Sequence, residues 1–458
     1  MRRRVENRRA QDPSSLASRI DRWGWHLVGS VVAVGIIGAA VGGGIAKEFS
    51  NLRSGVNPEA ADGSTRATCA SPAWGQPLQA APPGHEQRVA RDPRLAFGKR
   101  HSYIVGVDIQ TFGPDRVPES PLTAWEIGRR DIGRPFGRFA FLFPRGAVDA
   151  HDRLHLFWAE PRVLGSNIDG STWAGLLPAG IWTATYDAVS GWSTPRELPL
   201  ESEQPRWWWT GVADNLGDAG LEQGIGLPPR RPSRSLPYLA LGQDGSWRRT
   251  TLPAPGAYAT AASDSNRIVV AYAAADSAWA ASPANPTHED ANSVFVRTST
   301  DGGVIWSAPT MVQRGGSAPA HEVKVLLGKE GEVHLLWIQA TPVGAAIRHV
   351  VSPDGVRWPT PDDLPAPSLK NMRAVIDACA QVQLVAEDWG AGVGRTHLVA
   401  ATWDRGWSGP VRLFTDLEAM TPDLRISGDG SPVLAFVGRP ISGGPAMPYA
   451  TYYARLEK

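Results

Sequence analysis

His151 and His155 stand four residues apart, the spacing that puts two imidazoles on one face of a helix where they can share a metal ion. Their surroundings read otherwise. Asp152-Arg153-Leu154-His155-Leu156-Phe157-Trp158 is a polar turn running into an apolar strand, and on a strand rising about 3.3 Å per residue the two rings would lie about 13 Å apart. No metal is expected there. The run Trp207-Trp208-Trp209 suits stacking on sugars or a protein contact, and equally a strand packed on both faces. Asp214 with Asp218, and Glu289 with Asp290, are carboxylate pairs without the ligand series of a calcium loop. A P-loop, a dinucleotide fingerprint and a G-x-S-x-G elbow are all missing, so no cofactor is expected. Cys69 and Cys379 are too few for a disulfide scaffold and lack metal-ligand spacing. In an oxidising compartment they could pair and tie the amino-terminal part to the body; two separate thiols are the other reading.

The elements that carry these residues follow from composition. Of 458 residues, 49 are Gly and 39 are Pro, about 19% together against roughly 12% in an ordinary chain. That richness favours many short strands joined by turns over helices. With 46 basic and 45 acidic residues the formal charge is +1, which gives no footprint for nucleic acid. Residues 27–46 run for twenty positions without a charge, enough for a helix across a bilayer core of about 30 Å. Seven arginines precede the run, whereas Lys47 and Arg53 alone follow it closely, so the positive-inside bias puts residues 1–26 in the cytoplasm and the rest outside. Gly44-Ile45-Ala46 would also serve as a signal cleavage site, so an anchor and a cleaved leader are the two readings. Gly38 and Gly42 have the spacing that lets a second helix pack closely. Residues 47–90, with Asn57-Pro58, Ser71-Pro72 and Pro82-Pro83-Gly84, read as an extended linker.

Residues 91–458 form the body, and beyond residue 135 a repeat appears in it. Its marker is a turn followed by Trp and a small residue or proline, at Trp192, Trp247, Trp306, Trp358 and Trp407, spaced 55, 59, 52 and 49 apart. Each period holds several short apolar strands, such as Gly331-Glu332-Val333-His334-Leu335-Leu336-Trp337. The pattern predicts an all-β propeller of four-stranded blades. The count is six blades, with seven as the alternative. In the six-blade reading residues 91–134 supply the strand that closes the ring.

Ser299-Thr300-Asp301-Gly302-Gly303-Val304-Ile305-Trp306 fits S-x-D-x-G-x-x-W, and Ser352-Pro353-Asp354-Gly355-Val356-Arg357-Trp358 is the same hairpin shortened by one. On these residues the chain resembles the sialidase-like propeller superfamily, whose Asp-box hairpins they match. In such a hairpin the carboxylate accepts backbone N–H groups, Gly takes a positive φ and Trp fills space between sheets. The resemblance implies a propeller. It also implies, for catalytic members, an arginine clamp, a tyrosine nucleophile helped by glutamate, and an aspartate acid/base. Tyr449, Tyr452 or Tyr453, with Glu322 or Glu160 and Asp149 or Asp152, are the residue types available for those roles. The Arg-Ile-Pro signature is absent, so no catalytic residue is assigned. The expected function is a non-catalytic binding or scaffold subunit. It would be anchored in the lipid bilayer through residues 27–46 and partnered by integral membrane or envelope proteins. The alternative is an exo-glycosidase acting on surface glycans.

Overall fold

The computed structural model describes residues 73–86, 88–107, 122–133, 144–149, 151–163, 176–197, 208–213, 219–224, 236–241, 247–252, 257–264, 267–274, 292–314, 319–341, 344–366, 368–390, 395–442 and 448–457. The charge-free run 27–46, Gly38, Gly42 and Cys69 lie outside them. Among the described residues there are only strands, and no helix is long and apolar enough to cross a membrane.

Short strands β1 (Ala73–Trp74) and β2 (Leu78–Gln79) come first. A sheet follows from β3 (Arg91–Phe97), β4 (Ser102–Val107), β5 (Leu122–Glu126) and β6 (Arg130–Asp131). The second holds β7 (Arg145–Val148), β8 (Leu154–Val163), β9 (Leu176–Asp187), β10 (Gly191–Trp192) and β11 (Arg196–Glu197). The third holds β12 (Trp208–Ala213), β13 (Ala219–Gly224), β14 (Leu236–Leu241) and β15 (Trp247–Leu252). The fourth is β16 (Ala257–Asp264), β17 (Arg267–Ala274), β18 (Ser293–Ser299) and β19 (Thr310–Gln313). The fifth is β20 (Ala320–Leu327), β21 (Val333–Thr341), β22 (Gly344–Ser352) and β23 (Asp362–Pro365). The sixth is β24 (Leu369–Ile376), β25 (Val382–Asp388), β26 (His397–Trp403) and β27 (Val411–Leu413). The last takes β28 (Leu417–Ile426), β29 (Pro432–Pro440) and β30 (Ala450–Glu457), and completes itself with β1 and β2, which both pair with β30.

The described residues thus form seven antiparallel sheets, the alternative to the count of six made from five tryptophan turns and a last unmarked set of strands. The reason is local. Residues 73–79, read as linker, supply the missing strand of the last sheet, so residues 91–131 are free to build a sheet of their own. Its third-to-fourth-strand turn, Ile127-Gly128-Arg129, carries no tryptophan marker.

The first strands of the sheets touch one another in order, β16 to β20, β24, β28, β3, β7 and β12, and are therefore innermost. Apolar cores fill the spaces between sheets. Phe157 and Trp158 lie between the first two, Trp337 between the fourth and fifth, Ile347 and Met372 between the fifth and sixth. Phe414, Phe436 and Tyr452 stack in the next space, at centroid separations of 5.0 and 5.5 Å. Ile104, Trp125 and Val433 fill the space where the last sheet meets the first.

Alternation of strand direction gives the molecule two faces. The turn face carries the turns from first to second strand and from third to fourth. Its inner turns bond in sequence: Arg100 Nε donates to Asp152 Oδ2 at 2.9 Å, Lys329 Nζ to the Ala378 carbonyl at 3.3 Å, and Arg267 Nη1 to the Gly331 carbonyl at 2.7 Å. Gly428 and Gly430 sit so near the Gly98 carbonyl and Ala378 that a Cβ on either would lie 3.4 Å away. The opposite face, here the bulge face, holds the starts of the innermost strands. Five of these slip register there, between Arg91 and Arg94, Ala257 and Thr260, His321 and Lys324, Lys370 and Arg373, and Met420 and Asp423. Glu322, Asn371 and Thr421 take positive φ of 48°, 51° and 52° at the bulges, a conformation that costs a β-branched residue such as Thr421 most.

Candidate functional site

At the bulges of β24 and β28, and just past that of β3, backbone N–H groups are taken by buried carboxylates. Glu322 of β20 accepts from the Asn371 and Met372 N–H groups of β24 at 2.9 and 2.7 Å. Glu387 of β25 accepts from Thr421 N of β28 at 2.5 Å, Asn371 Nδ2 at 2.8 Å and Trp389 Nε1 at 2.9 Å. Asp423 of β28 accepts from Leu95 N of β3 at 2.8 Å. One sheet after another is stapled to the next at the bulge face.

The same strands bring cations in. Asp423 has Arg425, Arg94 and Arg373 at 3.5, 3.6 and 4.0 Å, and Lys324 is buried on β20 beside Glu322. Burial pushes the Glu322 and Glu387 carboxyls up from their ordinary range, more than the backbone donors lower them. Burial acts on Asp423 too, but the Arg425, Arg94 and Arg373 guanidiniums outweigh it and hold that carboxyl low. Four cationic side chains therefore share this cluster with three carboxylates.

Nearer the surface of this face lies a second group. Glu418, at the start of β28, is buried. Arg439 Nε at the end of β29 donates to its Oε2 at 2.8 Å, and the Tyr449 hydroxyl, just before β30, donates to its Oε1 at 3.1 Å. The Arg439 guanidinium lies over the Tyr449 ring, 4.7 Å from its centroid. On the neighbouring sheet Lys370 Nζ stands 5.4 Å above the Trp389 ring, whose N–H is the one held by Glu387. The two groups are linked through Glu387 and β28.

Of the tyrosines considered from sequence, Tyr449 alone meets a glutamate at this face, and the glutamate is Glu418. Glu322 is occupied inside the bulge network, and Glu160 lies on β8. Tyr452 stacks in the core and Tyr453 packs against another core, as alternating strand residues do. Asp149 and Asp152 lie on the turn face, at the far ends of the strands. There Asp149 Oδ2 holds Arg153 Nε and His155 Nε2, both at 2.8 Å. His151 is exposed and donates only its backbone N–H to Asp149 Oδ1, at 2.9 Å, and no group of three metal-ligating side chains occurs among the described residues. Trp208 and Trp209 belong to β12; Trp207, Asp214, Asp218, Glu289 and Asp290 lie outside the described residues.

Both S-x-D-x-G hairpins sit on the turn face. Asp301 Oδ1 accepts from Val304 N and Ile305 N at 3.0 and 2.9 Å, Ser299 Oγ accepts from Gly303 N at 2.8 Å, and Gly303 takes φ 91°. Trp306 is half-buried and donates its ring N–H to the Gly303 carbonyl at 3.1 Å. Asp354 Oδ1 likewise takes Val356 N and Arg357 N, both at 2.9 Å, while Ser352 Oγ takes Gly355 N. Trp358 packs on the core between the fourth and fifth sheets. These residues hold turns and are remote from the bulge-face groups. Cys379, on the inner turn after β24, is disulfide-bonded.

Sequence reading missed the bulge cluster and Glu418. A signal was available. Arg91-Asp92-Pro93-Arg94, His321-Glu322-Val323-Lys324 and Lys370-Asn371-Met372-Arg373 each put basic or polar groups at the first, second and fourth positions of a strand start.

No protein-family model matches the chain, and no curated protein sequence matches it. Among solved structures it is similar to polysaccharide lyase Uly1, with 12% identity and a TM-score of 0.50 over 84% of this chain and 93% of that one. A polysaccharide lyase of family PL25, an ulvan lyase, aligns at 13% identity and 0.49 over 82% and 95%. The α-L-arabinanase of Penicillium chrysogenum aligns at 11% and 0.43 over 68% and 92%. At such identities the likeness concerns the fold, and the class it defines is the all-β propeller. The resemblance to the sialidase-like superfamily rests on the two hairpins alone.

Proposed function

We propose that the chain is a glycan-cleaving propeller that takes an anionic polysaccharide on its bulge face, with its seven sheets as the blades of one ring. The observation that carries the reading is the Tyr449–Glu418–Arg439 group. A phenol can lose its proton to Glu418 Oε1, 3.1 Å away, and the phenolate then lies against the Arg439 guanidinium, which favours the charge. The activated oxygen serves either as nucleophile at an anomeric carbon, breaking the glycosidic C–O bond whose oxygen leaves with the proton held by Glu418, or as base toward the proton next to a uronate carboxylate, whose loss expels the glycosidic oxygen at the neighbouring carbon and leaves a C=C bond. The excess of cations in the neighbouring cluster favours a polyanion, and Trp389 under Lys370 offers an apolar plane for a sugar ring with an ammonium beside it for a carboxylate or sulfate. A scaffold needs neither feature, so the glycan-acting reading is the better supported of the two. Fold kinship to a polysaccharide lyase agrees with it by analogy only. The localisation that goes with the reading is a single-pass anchor with the amino end cytoplasmic and the propeller outside.

The test is depolymerisation. Purified full-length chain in mild detergent is given uronate-containing and sulfated polysaccharides, with new reducing ends and unsaturated uronate measured separately. Cleavage that falls at least 100-fold in Tyr449→Phe, with affinity for uncleaved polymer kept, is the expected result. Unsaturated product would assign elimination, and saturated product hydrolysis. Failure to cleave or bind any acidic glycan would return the protein to the scaffold reading.

A further inference from the structure

We infer that the turn face is the membrane-apposed face, and that its outer hairpins touch the lipid surface through Val304, Ile305 and Val356. The inference rests on the reading of residues 27–46 as a bilayer span and is independent of the glycan chemistry. Large exposed apolar side chains are few among the described residues, and they are placed unevenly. Val189 is 97% exposed, Val304 74%, Ile305 72% and Val356 65%. All four occupy turns between third and fourth strands, hence the turn face. The other two, Leu78 and Val411, lie on outer strands. Val304, Ile305 and Val356 come from the outer turns of adjacent sheets, and we take their tips together as one apolar ridge.

The backbone of these tips suits an environment poor in water. The N–H groups of Val189, Val304, Ile305 and Val356 are each taken by the aspartate of their own turn, Asp187, Asp301 or Asp354, at 2.9 to 3.0 Å. A tip that satisfies its own donors can approach a lipid interface without leaving them unpaired. Arg357, 83% exposed beside Val356, would meet headgroup phosphates.

The chain's path says what covers the ridge. Ala73 pairs with Glu457 and Trp74 with Leu456, so residues before 73 leave the body at the end of β30, where the third strand of a sheet meets the turn face. Disulfide-bonded Cys379 lies on that face as well. Only 26 residues separate Ala46 from Ala73, and they enter the body on this face. A bilayer crossed by residues 27–46 therefore lies close to this face and far from the bulge face, which points outward.

The test uses the full chain reconstituted in phosphatidylcholine vesicles, with a nitroxide carried by a non-natural residue at position 304, 356 or, on the bulge face, 390. Accessibility to oxygen and to a water-soluble nickel complex is read at each. The expected result is oxygen-rich, nickel-poor labels at 304 and 356 and the reverse at 390. Val304→Glu with Ile305→Glu should move the 356 label at least threefold toward nickel in a chain still resistant to alkaline carbonate. Equal nickel access at 304, 356 and 390 in a carbonate-resistant chain would overturn the inference, as would labels at 304 and 356 shielded from both reagents, the sign of a protein partner. Lipid-buried labels on a chain that carbonate extracts would remove the span and keep the contact.

Discussion

Asp149 is held ionised by its neighbours. Burial raises its carboxyl, but hydrogen bonds from His155 and Arg153 outweigh that and carry it well below the usual carboxylate range. A depressed folded value means that the stabilisation is complete above the unfolded value, near 3.9, and fades as pH falls through the folded one. Asp149→Asn should therefore cost about 2 kcal/mol at neutral pH, the range for a hydrogen-bonded buried charge. The gap to wild type should close below about pH 4, as read from urea midpoints across pH. Glu322 runs the other way. Its raised carboxyl favours folding at low pH and loses that advantage as pH rises through the folded value. Relative to Glu322→Gln, wild type should lose midpoint on the alkaline side. Neither behaviour was legible in the residue letters, because both depend on which strand starts meet across sheet boundaries. Asp149 and Glu322 were singled out from sequence for one active site, and they stand on opposite faces.

The hairpins show what sequence can and cannot say about an element. Their turn chemistry was legible because it is local: carboxylate, serine and glycine lie within five residues and bond to one another. The role of the tryptophan was legible only in part. Trp358 packs between sheets, whereas Trp306, half-buried, bonds to its own turn. Trp358→Ala should lower stability by about 3 kcal/mol, as removal of a packed aromatic does. Trp306→Ala should cost nearer ~1 kcal/mol. Denaturant midpoints of the two variants in the same detergent decide this, and equal losses would show that both rings are wedges. The bulges were not legible. Nothing in an alternating strand pattern marks where register will slip, though the basic residues repeated at three strand starts hold the clue.

At the scale of the whole molecule, the propeller class followed from period and turns, and the count did not. Marker tryptophans label turns, and the first sheet has none at its turn while the last borrows its outer strand from residues 73–79. With two cysteines in the chain, the partner we propose for Cys379 is Cys69. The bridge would span about 310 residues. Nonreducing gels should show a faster band that slows with reductant, and Cys69→Ser should abolish the difference. Such a bridge would tie the path leading from the membrane to the inner turn of the sixth sheet. The pairing of β1 with β30 carries a further consequence, one of timing. Trp74 is synthesised and, in an exported chain, delivered early, yet its partner Leu456 follows some 380 residues later. The early strand must wait while six sheets assemble, and the last sheet keeps a bare edge until β30 arrives. The loop-closure entropy of that last pairing grows only slowly with length, so the hazard is exposure to proteases and to other edges during the wait. In pulse–chase, a chain cut after residue 449 should be degraded within the time full-length chain takes to become protease-resistant. Closure of the last sheet of this protein thus waits on β30, whatever its stability once closed.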